Sequence, residues 1–230
     1  LLALMVAMII PLSTAMRGRP VAQPGAAKQS MGQALTEARQ HSGYIYLTAG
    51  FFVCGFHISF IGTHFPAYIT DKGLAPELGA QALAMVGLFN LFGAILAGVL
   101  GNRYKKKNLL SWIYLARAVF IALFIMLPIT PTTVLIFSAA MGLTWLSTVP
   151  LTSGIVAQVF GPRYMGTLFG FVFLSHQLGS FLGVWLGGKL FDQTGSYDGI
   201  WGLGIALGLF AALVHLPLDE RPAARLSTAQ

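Results

Sequence analysis

The sequence predicts an all-α membrane protein built as a bundle of six transmembrane helices. Three observations predict it. Of 230 residues, 56% are hydrophobic and only 9% are charged, with a mean hydropathy of +0.73, where a soluble domain carries about 25% charged residues. The apolar residues fall into runs of about 20, enough at a rise of about 1.5 Å per residue to cross a hydrocarbon core of about 30 Å. The basic residues sit in the short stretches between those runs and alternate in density from one to the next.

In chain order, Leu1 to Met16 is apolar, contains Pro11 and is short for a complete span. It reads as the end of a truncated transmembrane helix, so the chain is expected to be a piece of a longer protein. Residues 17–42 form a polar loop. Within it Ser30 and Gln33 match a capping box that would start a surface helix up to Gln40, with Met31, Leu35 and Ala38 on one side.

Gly43 to Ile69 is the first complete span and carries His57, Ser59, Thr63 and His64. A short polar loop leads to Ala80–Leu100, with Asn90 near its centre. After the basic loop Gly101–Asn108, Leu109–Leu127 forms the third span, with Arg117 near mid-depth. Thr132–Phe160 holds the fourth. Thr144, Thr148 and Thr152 recur there every four residues, and Pro150 removes a backbone donor and favours a kink.

Gly166–Lys189 is the fifth span. Gly179, Gly183 and Gly187 recur at the same spacing and mark a face where another helix can approach closely. His176, Gln177 and Ser180 put polar groups at membrane depth, where lipid offers no hydrogen-bond partner. Gly199–Leu216 is the sixth span. Together, residues 43–217 are expected to form the six-helix unit and residues 218–230 a polar tail.

Eleven of the fourteen Lys and Arg residues fall on one side, in the loop before the first span, the Gly101–Asn108 loop, Arg163 and the tail. The positive-inside rule makes that side cytoplasmic, in a plasma or bacterial inner membrane. The net charge of +7 therefore reflects topology, and no nucleic-acid partner is expected. The single cysteine, Cys54, rules out a disulfide within the chain. No P-loop, catalytic nucleophile, paired carboxylates or metal-ligand set stands in the sequence, so neither enzyme chemistry nor a cofactor or metal is expected.

The run from Gly98 to Lys107, GVLGNRYKKK, resembles the cytoplasmic loop signature of the major facilitator superfamily, G-x-L-A-D-R-x-G-R-K/R. Gly98, Leu100, Arg103, Lys106 and Lys107 match; Asn102 replaces the usual Asp and Lys105 the second Gly. The replaced Asp removes the carboxylate expected to pair at this loop. The resemblance implies half of a twelve-helix transporter: the end of helix 6, the central loop and helices 7–12. It further implies that Gly43–Ile69 and Thr132–Phe160 line and gate a central cavity. Ala80–Leu100 and Gly166–Lys189 would meet a missing N-terminal six-helix half.

On that footing the expected activity is secondary active transport of a small solute by alternating access, with the bilayer, the solute and a coupling proton as partners. A non-transporting sensor or scaffold of the same fold is the alternative. His57 and His64 share a face two turns apart and admit two readings: they bind solute or a coupled proton, or they are packed histidines bonded to a neighbouring helix. Asn90, His176 and Gln177 either line the cavity or bond between helices. Thr144, Thr148 and Thr152 either line it or bond back to their own helix. Arg117 is either the partner of an organic anion or of a carboxylate, or a structural charge on backbone carbonyls.

Cysteines introduced in a Cys54-free background test the topology. Those in Gly101–Asn108 should react with an impermeant thiol reagent only from the cytoplasmic side, and those in Asp192–Asp198 only from outside. Labelling of both from one side would refute six spans.

Overall fold

The structure is a computed structural model that describes residues 29–227. The apolar run Leu1–Met16 and most of the loop after it lie outside the described residues, as does the end of the tail. The described helices are α1 (Met31–Gln40), α2 (Ser42–Asp71), α3 (Pro76–Arg103), α4 (Lys106–Met126), α5 (Pro131–Thr144), α6 (Thr148–Phe160), α7 (Met165–Thr194), α8 (Asp198–His215) and the single turn α9 (Ala224–Ser227). Six candidate spans result, with α5 and α6 together forming the fourth.

Most helices run past their apolar stretches, and the reasons are local. Pro76 occupies the first turn of α3, where its missing N–H costs nothing, so the polar loop before that span shrinks to Lys72–Ala75. Likewise α7 continues through Lys189 until Gly195, whose φ of 67° gives the left-handed stop. Ser30 and Gln33 form the expected capping box of α1. The buried stripe of α1 is Ala34 and Ala38, however; Leu35 is half-buried and Met31 exposed.

Two groups of helices make up the bundle. In one, α2 lies closely along α7 and against α8; in the other, α3 lies along α5 and α6; and α4 joins them through α8 and α5. Glycines set the tightest contacts. A Cβ on Gly179 would strike the Phe52 carbonyl of α2, and one on Gly183 would sit 2.5 Å from the Phe56 carbonyl oxygen. From the other side, a Cβ on Gly55 would strike the His176 carbonyl. Between α3 and α5, Gly93 meets the Leu143 carbonyl and Gly142 the Val86 carbonyl. Lipid tails are as apolar as leucine, so association inside a bilayer depends on such close packing.

The core has two parts. Towards the basic end Leu47, Phe51, Val53, Leu110 and Val156 pack together. Towards the other end the core is aromatic: Phe65, Phe124 and Phe137 surround Trp201, with Phe124 and Phe137 stacked at 4.3 Å. The second and fifth spans are the least covered, with 17% and 28% of their apolar stretches buried. Leu91, Phe92 and Ile95 on α3 and Leu178 and Phe181 on α7 are exposed.

Gly183→Leu should lower stability by about 1–3 kcal/mol, the usual cost of overpacking a close contact. A reduced melting temperature and reduced monodisperse yield in detergent are the expected readings. Wild-type behaviour would place the glycine face against lipid.

Candidate functional site

The fourth span is not one helix. It breaks at Trp145–Ser147, between α5 and α6. Pro150 explains the position, because its ring excludes the carbonyl of Leu146, four residues earlier, and it has no N–H to donate. Thr144, Thr148 and Thr152 therefore do not form one continuous helical stripe, as their spacing predicts. Thr144 closes α5 and Thr148 opens α6, although all three are buried.

Two neighbouring helices satisfy backbone groups at the break. Arg117, on α4, is fully buried, and its Nη2 donates to the carbonyls of Thr144 and Trp145, the latter at 2.7 Å. From α3, Asn90 Oδ1 accepts from the Leu146 N–H at 3.0 Å. An unpaired backbone group at membrane depth costs several kcal/mol, so a break there needs such partners. The C-terminal end of α5 is also the negative end of a helix dipole, which favours a cation. A charge at the bilayer centre costs about 2.5–3.5 kcal/mol on insertion scales, and hydrogen bonds from a charged donor return about 1.5–3 kcal/mol each. The two terms are of the same size, so charge and break stabilise each other.

The surroundings are polar. The Arg117 guanidinium lies 5.3 Å from the ring centre of Tyr114, whose other neighbour is the stacked imidazole of His215. Cys54 Sγ is 3.1 Å from the Thr148 hydroxyl. Among the described residues, Arg117 Nε and Nη1 and the Thr152 hydroxyl are buried without hydrogen-bond partners. Sequence reading missed Cys54 and Tyr114 because one reads as an apolar residue and the other as a core aromatic. No three His, Cys, Asp or Glu among the described residues lie together as metal ligands.

The histidines part company. His57 is buried in the bundle, and its Nε2 donates to the Gly204 carbonyl of α8 at 2.8 Å. His64 Nε2 donates to the Val184 carbonyl at 2.9 Å, with the Tyr197 hydroxyl 3.5 Å from its other nitrogen. His176 stacks on Phe173 and donates from Nδ1 to Gln177 Oε1 at 3.2 Å. Gln177 itself is exposed, near the middle of the fifth span.

At the basic end, the Gly98–Lys107 run folds as the end of α3, a two-residue link and the start of α4. Gly98 is half-buried with open space around it, and Arg103 is exposed. Lys106 Nζ donates to Gln158 at 2.9 Å and Lys107 Nζ to the Leu216 carbonyl at 3.0 Å. A carboxylate does reach this turn from the tail: Glu220 accepts from the Lys107 backbone N–H at 2.5 Å. It thereby caps the start of α4, where an anion also meets the positive end of the helix dipole. Nearby, Arg225 pairs with Glu37 of α1 at 2.9 Å and donates to the Phe160 carbonyl at 2.5 Å. Nothing in the spacing of Glu220 announced this contact, which crosses more than a hundred residues of sequence.

A family model described as Major Facilitator Superfamily matches residues 1–184. The chain is 29% identical over 230 residues to the uncharacterized MFS-type transporter YcxA of Bacillus subtilis strain 168, covering 95% of this chain and 56% of that protein. It is 28% identical over 157 residues to the probable plastidic glucose transporter 1 of Arabidopsis thaliana, covering 63% of this chain and 29% of that protein. The chain thus spans little more than half of the first relative and under a third of the second.

Substitutions at the break have distinct expected outcomes. Arg117→Met leaves two carbonyls unpaired and should speed hydrogen exchange around residues 144–149 by roughly 100-fold or more, from two charged bonds at about 1.5–3 kcal/mol each. Asn90→Ala frees only the Leu146 N–H, and its effect should be about fivefold, from about 1 kcal/mol. Exchange mass spectrometry reads both. An unchanged segment in Arg117→Met would show that the break holds without it.

Proposed function

The chain belongs to the major facilitator superfamily, and on that premise we propose that it supplies one six-helix half of a secondary transporter that moves a small solute by alternating access. Membership sets it among membrane transporters rather than enzymes. The observation that carries the reading is the broken fourth span. Alternating access needs an element with two arrangements beside the site, and interrupted helices with backbone groups held by side chains meet that need. The fourth span is interrupted near its middle, with Arg117 and Asn90 on the backbone groups that the break frees.

Exposed polar groups support a wet face. Gln177 is a neutral polar side chain exposed at mid-depth, and lipid is a poor environment for it. With His176 and the half-buried Asn90 it marks the proposed solute-facing side. The thin cover of α3 and α7 fits contact with a second six-helix half. His57, bonded into α8, is proposed to hold the half together, whereas His64 and the three threonines flank the path. An organic anion is the proposed solute class, since the interior holds the Arg117 cation with two of its nitrogens, Nε and Nη1, unpartnered among the described residues. The basic end is proposed to face the cytoplasm, and a proton to be the coupling ion.

The test is uptake into vesicles bearing the complete transporter, using radiolabelled mono- and dicarboxylates and, after the plant relative's name, glucose. Saturable uptake of a carboxylate that rises with a proton gradient is expected. Gln177→Ala should cut that flux by about tenfold at unchanged yield, as loss of roughly 1.4 kcal/mol of solute contact implies. His57→Ala should lose flux only in step with lost folded protein. No gradient-dependent flux of any probe would favour a sensor of the same fold.

A further inference from the structure

At the basic end, a second feature lies outside the proposed solute path. Two hollows meet at Arg39, in the last turn of α1, and at Tyr44, in the first turns of α2. The larger, of about 510 Å³, runs between α2, α7 and α8 past Thr48, Ala49, Phe52, Ser175 and Phe210. The smaller, of about 310 Å³, lies beside Leu35, Ala38 and Phe171.

The polar atoms along these walls are already engaged. Thr48 Oγ1 donates to the Tyr44 carbonyl at 2.7 Å, Ser175 Oγ to the Thr48 carbonyl at 2.8 Å, and the Tyr44 hydroxyl to the Leu168 carbonyl at 2.8 Å. What faces the hollows is therefore hydrocarbon, with little to hold water. The exception is the exposed Arg39 guanidinium at their shared mouth, which no described residue pairs.

We infer that this is a binding site for one anionic phospholipid of the leaflet at the basic end. A guanidinium makes paired hydrogen bonds to phosphate oxygens, and basic pockets between helices at the cytoplasmic surface take anionic headgroups. Two apolar hollows on either side of one cation match two acyl chains below one headgroup. Depth agrees as well: from Ser42 to Phe52 the helix rises about 15 Å, half of a hydrocarbon core of about 30 Å. A free phosphate would leave the apolar walls uncovered, and an apolar protein segment would leave the charge unpaired. The site is independent of which solute the transporter carries.

Native mass spectrometry of the whole chain in detergent, titrated with phosphatidylglycerol and separately with phosphatidylethanolamine, tests this. The wild type should bind one phosphatidylglycerol about fivefold more tightly than phosphatidylethanolamine, the ratio that about 1 kcal/mol per basic residue near an anionic surface gives. Arg39→Gln, a change on an exposed side chain, should abolish that preference. Ala49→Trp, which fills the larger hollow, should weaken both lipids with Arg39 in place; thermal unfolding checks its fold, and if it does not fold, Arg39→Gln decides alone. Equal affinity for the two lipids in the wild type, or a preference that survives Arg39→Gln, overturns the inference. So does cross-linking of a cysteine at position 49 to residues 1–28 or to a partner helix, which would show that protein fills the hollow.

Discussion

A backbone carbonyl at membrane depth must be given a donor, and this requirement organises the bundle. Pro150 interrupts the fourth span, and the interruption leaves carbonyls at Thr144 and Trp145 and an N–H at Leu146. Arg117 and Asn90 reach these groups from the third and second spans, so three spans are tied at one level by the needs of one broken helix. In return the break gives a buried guanidinium two acceptors. Each feature offsets the cost of the other, and Arg117 joins α4 to the junction of α5 and α6.

Elsewhere, association rests on close packing. The α2–α7 contact is built where Gly55, Gly179 and Gly183 let backbones meet carbonyl to Cα, and it buries His176 against Phe51 of α2. Because α7 is anchored through its glycine face, its opposite face is left open, with Gln177, Leu178 and Phe181 exposed. The same arrangement that secures the helix thus presents the side proposed to meet solute and a second half.

The basic end is joined by charged and capped contacts. Glu220 caps α4, and Arg225 ties the tail to α1 and to the end of α6. The tail and the helix before the first span thereby become one surface with the Lys106–Lys107 turn, although all three are far apart in sequence. That surface carries Arg39, which lines both apolar hollows.

Some of this was legible in the sequence because it is local. The six spans follow from run length, the basic end from loop charge, the capping box of α1 from Ser30 and Gln33, and the glycine face of α7 from its four-residue spacing. Pro150 announced a kink within a few residues of the break. The sequence could not say which way Arg117 points, because α4 is apolar around most of its surface: lipid and protein interior ask for the same side chains, so no polar face records the helix's rotation. Nor could it say that His57 bonds to Gly204, that Asn90 takes the Leu146 N–H, or that Glu220 takes the Lys107 N–H. Each of those pairs joins separate helices or a helix and the tail, and only the packing of the bundle brings donor and acceptor within hydrogen-bond distance.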